Sequence, residues 1–281
     1  LEMYESYWGL SASPFTNRLS TKWFHESGIH EEALARLFYL IEQKRGFGLL
    51  SGGDGTGKSL TLKILCEQVK RSQRHVAFTN LLGLDAHEML WNLALSLGLA
   101  PTESESRWNL WRKITDQMHA LQLTKTQTIF VFDHLERADS TCLSLLERLF
   151  CTAEEASGLS TFITAVRTKE LPRLSGILSE LADLRVELHP FQLTETAEFI
   201  DDMLKQAGSD REIFTNDATL QIHAHTQGSP RLINRLCELS MIAGMAADKD
   251  RIDGALVNSV SSSLVTKFDR SREIVEYHEL V

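Results

Sequence analysis

Up to about residue 190, short apolar runs alternate with stretches of helical periodicity. The runs Phe47–Leu50, His75–Thr79, Thr128–Phe132, Thr161–Ala165 and Arg185–Leu188 are short, and most are rich in β-branched or aromatic residues, as strands are. After Lys58, residues Leu62, Leu65, Cys66 and Val69 recur at the spacing of one helix face, and Arg107–Leu121 and Ser140–Glu155 follow the same period. Strands alternating with helices predict right-handed crossovers and a parallel sheet covered on both faces. The pattern changes at His189-Pro190, beyond which no convincing strand is read. Thr194–Gln206 reads as a helix, acidic in its first turn and stopped by Gly208. Further helices are read over Asn216–His225, Pro230–Ala247 and Asp253–Ser262, the second of these with Ser229 as N-cap and Pro230 at its first position. The organisation predicted is therefore an α/β domain over 1–190, a small all-helical domain over 191–262, and a charged segment over 263–281, a tail or a loose last helix.

Charge narrows the possible ligands. Among 281 residues, Lys and Arg number 29 against 38 Asp and Glu, for a formal charge of -9. A broad, sequence-blind nucleic-acid surface needs an excess of cations, so DNA is disfavoured as a partner and any polyanion must be held by local geometry. Lys63, Lys70, Arg71 and Arg74 could line a basic stripe, but they read more simply as the solvated face of the helix after Lys58. The four cysteines, Cys66, Cys142, Cys151 and Cys237, form no CxxC pair and have no histidines at metal-ligand spacing, so reduced thiols in a cytoplasmic protein are expected. The longest apolar stretch, Leu81–Ala100, is broken by Asp85, His87, Glu88 and Asn92, and no signal peptide is read at the N-terminus.

The strongest chemical signal is GGDGTGKS at 52–59, which satisfies GxxxxGK[ST] through Gly52, Gly57, Lys58 and Ser59. It follows a strand-like run and precedes an amphipathic helix, as a phosphate-binding loop does. Glycines let the backbone turn back and aim N–H groups at a phosphate, and the helix start adds the positive end of its dipole. The cofactors expected are ATP and Mg²⁺. Gly52, Gly53, Asp54, Gly55, Thr56, Gly57, Lys58, Ser59 and Leu60 form the nucleotide cradle, with Lys58 on the outer phosphates and Ser59 on the metal. Asp54 is an oddity, because a carboxylate beside phosphates weakens binding unless it points outward.

A second acid is needed on a neighbouring strand to hold the metal's water shell. Thr128–Phe132 followed by Asp133 has the shape of a buried strand with the acid at its C-terminal edge. Asp133 is thus the second metal residue, beside Ser59. His134 comes next, and three readings stay open: His134 polarises the attacking water, Glu136 reaches in from two residues further on, or hydrolysis is slow and the protein mainly binds nucleotide. Slow hydrolysis is the reading favoured over complete loss.

These residues resemble the AAA+ superfamily, and several segments narrow the likeness to the ATPases of the general secretion pathway protein A (ExeA-like) family. The segments are Met3–Leu10 with Ser13-Pro14-Phe15, His30–Leu37 with Gly46-Phe47, Pro190–Ile200, and Gly228–Cys237. The resemblance runs from Met3 to about Val260. It implies a five-stranded sheet in the order 5-1-4-3-2 with a helical lid, adenine near Pro14–Phe15, and Pro230 and Arg231 at the nucleotide, Arg231 contacting the γ-phosphate. The catalytic set implied is Lys58, Asp133, His134 and Arg231. The sequence departs from the family at Gly53 and Asp54, where the family's loop reads G-E-V-G-T-G-K-T, and at His134, where the family's acidic pair is Asp-Glu and here it is Asp133-His134. The polar first sensor has three candidates, Thr164, Arg167 and Thr168. For the trans-acting arginine only Arg173 and Arg185 lie nearby, and Asp183 occupies the usual place.

The function expected is an ATPase module that binds ATP with Mg²⁺ and turns it over slowly, resembling the cytoplasmic ATPase of secretion, secretin or pilus-assembly systems. Its partners are the nucleotide, a membrane-anchored secretion component at the inner membrane, and further copies of itself on ATP binding. The alternatives are a regulator of the DNA-transposition type and a nucleotide-gated scaffold with little turnover.

Overall fold

The computed structural model describes residues 2–16, 21–154, 159–174 and 182–263. The chain divides into two units: Gly28–His189, and Leu1–Ser27 together with Pro190–Val281.

Gly28–His189 is the α/β unit. Its elements are α2 (Gly28–Glu42), β1 (Phe47–Gly52), α3 (Lys58–Arg71), β2 (His75–Asn80), α4 (Ala86–Ser96), α5 (Arg107–Leu123), β3 (Thr128–Asp133), α6 (Ser140–Glu154), β4 (Ser160–Arg167) and β5 (Leu184–Leu188). The strands form one parallel five-stranded sheet in the order β2-β3-β4-β1-β5, which is the expected 5-1-4-3-2 order. Every residue of β1 and β3 is buried, as a central strand covered on both faces requires. On one face the sheet packs Phe130 over Phe162, with ring centroids 4.7 Å apart and planes nearly parallel, and Phe150 meets Phe162 edge-on. Helices α4, α5 and α6 close that core through Leu93, Ile114 and Leu146. Helix α4 is fixed at its start by a reciprocal cap, in which Asp85 accepts from the His87 and Glu88 N–H groups and Glu88 returns a bond to the Asp85 N–H. At the far edge of the sheet, the Asp183 carboxylate accepts from the Phe47 N–H at 3.0 Å. Asp183 therefore pins the start of β1.

The second unit is helical. It holds α1 (Glu2–Trp8), α7 (Leu193–Gln206), α8 (Asn216–Thr226), α9 (Pro230–Ala246) and a last helix, α10, over 254–263. Its core gathers Trp8, Phe15, Phe191, Phe199, Ile222 and Met241. Trp8 is almost fully buried and donates its indole N–H to the Met241 carbonyl at 3.1 Å. Phe15 is fully buried edge-on to Phe214. Phe15 is thus core of this unit, in a region where the resemblance places the adenine. Tyr4, Trp8, Leu10 and Phe15, expected with the α/β domain, pack in the core of this helical unit. The charged segment read over 263–281 lies outside the described residues from 264 onward.

Trp8→Ala is expected to destabilise the helical unit by about 3–5 kcal/mol, the range for removing a large buried aromatic. Urea unfolding followed by circular dichroism checks this. A loss below about 1 kcal/mol would show that the N-terminal helix is not part of that unit's core.

Candidate nucleotide-binding site

Parallel pairing brings the C-terminal ends of all strands to one edge, and the phosphate-loop residues leave the sheet there. Strand β1 ends at Gly52, and α3 begins at Lys58. Gly57 sits at the N-cap with φ +100°, a conformation reserved for glycine, and it offers no side chain to cap the helix. The first N–H groups of α3 are therefore not met by a capping side chain, which suits an anion. A Cβ at Gly57 would fall 2.5 Å from His30 Nε2, and one at Gly52 would fall 2.7 Å from Thr56 Oγ1. Both glycines are thus demanded by close approach.

The loop is braced from below and from within. His30, buried on α2, lies with Nε2 3.0 Å from the Thr56 carbonyl. The Thr56 hydroxyl donates to the Gly53 carbonyl at 3.0 Å, and the Thr61 hydroxyl to the Gly57 carbonyl at 3.2 Å. Lys58 Nζ donates to the Gly52 and Gly53 carbonyls at 2.9 and 2.7 Å. Burial lowers the Lys58 pKa from its usual value, against the opposing pull of Glu136, Asp54 and Asp133. Ser59 and Leu60, on the first turn of α3, are partly exposed.

Asp133 closes β3 with its side chain only 5% exposed. One carboxylate oxygen accepts from the His134 N–H at 2.9 Å. The other lies 3.3 Å from His134 Nδ1, close enough for attraction but without hydrogen-bond geometry. His134 adopts the left-handed region at φ +60° and starts a single turn, Leu135–Arg137. That turn buries Leu135 completely and carries the Glu136 carboxylate inward, leaving it 4% exposed.

Arg167 ends β4 directly opposite Gly52 in the parallel register. Its Nε lies 3.0 Å from a carboxylate oxygen of Asp54 and 3.0 Å from one of Glu136. Lys169 also approaches Asp54, at 3.7 Å. This resolves the oddity of Asp54: its half-exposed carboxylate turns to two cations of the strand edge. Of the first-sensor candidates, Thr164 is buried inside the sheet between Leu49 and Phe132, and Thr168 donates to Glu187 at 3.0 Å. Arg167 alone among them contacts the loop. Arg173 is exposed and paired with Glu170, and Arg185 lies on β5. Pro230 and Arg231 open α9 in the helical unit, with Arg231 exposed.

The sequence reading missed His30 as a brace and the Asp54–Arg167–Glu136 chain. His30 opened a segment noted for its resemblance, but a buried imidazole under a loop leaves no periodic signal. The carboxylate-guanidinium chain depends on the register of β1 with β4, which sequence alone does not display.

The fold and the loop together define an AAA+ P-loop module. The model of the AAA domain matches residues 41–174. Over 255 residues, 89% of this chain, the sequence is 27% identical to general secretion pathway protein A of Aeromonas hydrophila. The resemblance to the general secretion pathway protein A AAA+ ATPases is thereby borne out, although the chain spans only 46% of that relative's length. Among solved structures, the fold is similar to Cdc6p of Pyrobaculum aerophilum, with a TM-score of 0.67 and 18% identity over 88% of this chain and 68% of that one. It is similar also to the Aeropyrum pernix ORC1 protein in complex with DNA, with a TM-score of 0.67 and 16% identity over 88% of this chain and 69% of that one. The Thermotoga maritima RuvB Holliday junction branch migration motor gives a TM-score of 0.56 and 17% identity over 89% of this chain and 73% of that one.

Removing the loop's own negative charge has a defined expected effect. Asp54→Asn should tighten ATP binding about threefold at low salt, the scale of a half-exposed charge interaction, and the gain should shrink as salt rises. Equilibrium titration at two ionic strengths checks this, and weaker binding by the variant would show that Asp54 organises the loop.

Proposed function

We propose that this chain binds ATP with Mg²⁺ and hydrolyses it slowly, as the cytoplasmic nucleotide-responsive module of a secretion or pilus-assembly type system. The observation that carries the reading is the Lys58 ammonium, held against the Gly52 and Gly53 carbonyls at the mouth of an uncapped helix start. A triphosphate offers better acceptors than those two neutral carbonyls, so Lys58 is poised to exchange them for phosphate oxygens. Gly53, Gly55 and Thr56 supply further backbone N–H groups around the same turn, with Leu60 on the first turn of α3 beyond them.

The donor set fits magnesium. That ion keeps several waters and takes few protein oxygens, typically one carboxylate besides those of the phosphates. Ser59 at the helix start and the buried Asp133 carboxylate are the residues that would hold it. When bound, it would neutralise charge on the outer phosphates. Slow turnover follows from His134 at the position after Asp133. Its ring leans on that carboxylate, 3.3 Å away, in place of a second acid. Arg231 is assigned to the γ-phosphate on the strength of the resemblance alone.

General secretion pathway protein A supplies the name of the biological setting and nothing about this chain's cargo. A membrane-anchored partner and assembly of several copies on ATP binding follow from the same likeness. Among the described residues no helix is long and apolar enough to cross a membrane, so the link to a membrane is proposed through a partner or through further sequence.

Lys58→Ala is expected to weaken ATP binding at least about tenfold, the loss of one charge-assisted bond, and to reduce hydrolysis to background. Isothermal titration and a phosphate-release assay check the two effects. Turnover equal to wild type would overturn the reading.

A further inference from the structure

We infer that Glu136 supplies the carboxylate that takes a proton from the attacking water. This inference rests on the proposed ATP hydrolysis and names the base that drives it. Three observations converge on Glu136. Its side chain is buried at the strand edge beside the phosphate loop, and one oxygen is held by Arg167 Nε at 3.0 Å. Its other oxygen is buried and has no hydrogen-bond partner among the described residues. An acceptor stripped of water and left without a donor is costly unless a ligand or water completes it. Finally, the Glu136 charge acts on Lys58, together with those of Asp54 and Asp133. The Glu136 carboxylate thus belongs to the charge cluster around Lys58, the cation proposed to meet the outer phosphates.

The competing group is His134. Its Nδ1 faces Asp133 at 3.3 Å, and its left-handed backbone is tied to the same carboxylate through its N–H. The imidazole is thus directed at the metal acid, while the single turn Leu135–Arg137 swings Glu136 inward in its stead. In the step assigned to Glu136, the water oxygen forms a bond to the γ-phosphorus as one of its protons passes to the carboxylate. The bond from that phosphorus to the β–γ bridging oxygen breaks, and its electron pair leaves with ADP. The proton then passes to inorganic phosphate or solvent, restoring the carboxylate. Arg167 is a positioning residue here, because it touches Glu136 and not the reacting atoms.

The test compares variants for ATP affinity and for turnover in parallel. Glu136→Gln should bind ATP within about threefold of wild type and lose at least about tenfold in turnover, the lower range for a missing base. His134→Ala should lose at least about tenfold less than Glu136→Gln. Arg167→Ala should lower kcat with KM little changed, and Arg167→Lys should recover part of the loss. Recovery by lysine is a readout that a merely structural ion pair would not give at constant thermal midpoint. Turnover of Glu136→Gln within twofold of wild type, or a deeper loss in His134→Ala, would overturn the inference. If Glu136→Gln does not fold, Arg167→Ala and Arg167→Lys decide alone, and wild-type turnover in both overturns it. A wild-type protein that binds no ATP overturns this inference and the proposed function together. One that binds ATP but shows no turnover above the Lys58→Ala background overturns the inference about Glu136 together with the hydrolysis half of the proposed function, and leaves ATP binding standing; altered Glu136→Gln behaviour alone separates the two.

Discussion

Parallel strand pairing forces every strand of this sheet to end at one edge, and that edge must then manage the charges brought to it. Gly52, Asp133 and Arg167 are all strand-terminal, and the β1/β4 register sets Arg167 opposite the point where the phosphate loop departs. Cations gathered at one edge repel one another, so acids or dipoles must stand between them. Here the stand-ins are visible. Lys58 rests on two loop carbonyls, and Arg167 rests between Asp54 and Glu136. These contacts hold the loop and the cations of the strand edge in place.

Much of this was legible in the sequence, for a physical reason. The phosphate loop is a contiguous run whose glycines, lysine and hydroxyl each answer a local demand, so spacing alone reveals it. Strands β1 and β3 are buried on both faces and read as unbroken apolar runs, which stand out against amphipathic helices. Asp133 could be read because it terminates such a run. What escaped detection was either cooperative or distant. Helix α4 buries Ala86, Met89, Leu90, Leu93 and Ala94 along one face, but its start is set by the reciprocal Asp85–Glu88 cap. Glu136 stayed one of three open readings because its inward aim depends on His134 entering the left-handed region, a backbone state that histidine adopts only occasionally.

The N-terminal segment illustrates the same limit at larger scale. Nothing in Glu2–Trp8 announces a partner more than two hundred residues away, yet Trp8 is buried with its indole N–H on the Met241 carbonyl, and Tyr4 meets Met241 through its hydroxyl. A large aromatic with one donor is stable inside only if that donor is met, which the α9 carbonyl achieves. Burial also pushes the Tyr4 hydroxyl well above its ordinary pKa, keeping it neutral through any working range. The helical unit thus closes on chain from both sides of the α/β unit in sequence, and it is built from discontinuous segments.

Net charge and local charge finally point in opposite directions. The chain is acidic at -9, yet its strand edge concentrates Lys58, Arg167 and Lys169 within reach of Asp54 and Glu136. An acidic protein repels polyanions at long range, but salt screens that field within about 8–10 Å, whereas a triphosphate seated in the loop, as proposed, would meet its donors at contact distances. The balance therefore favours a small polyanion that fits the turn over an extended one that samples the whole surface. The same balance explains why acids near the site are tolerated. Asp54 and Glu136 each meet Arg167, and Asp133 accepts from the His134 N–H, so the charges of the cluster are offset within it.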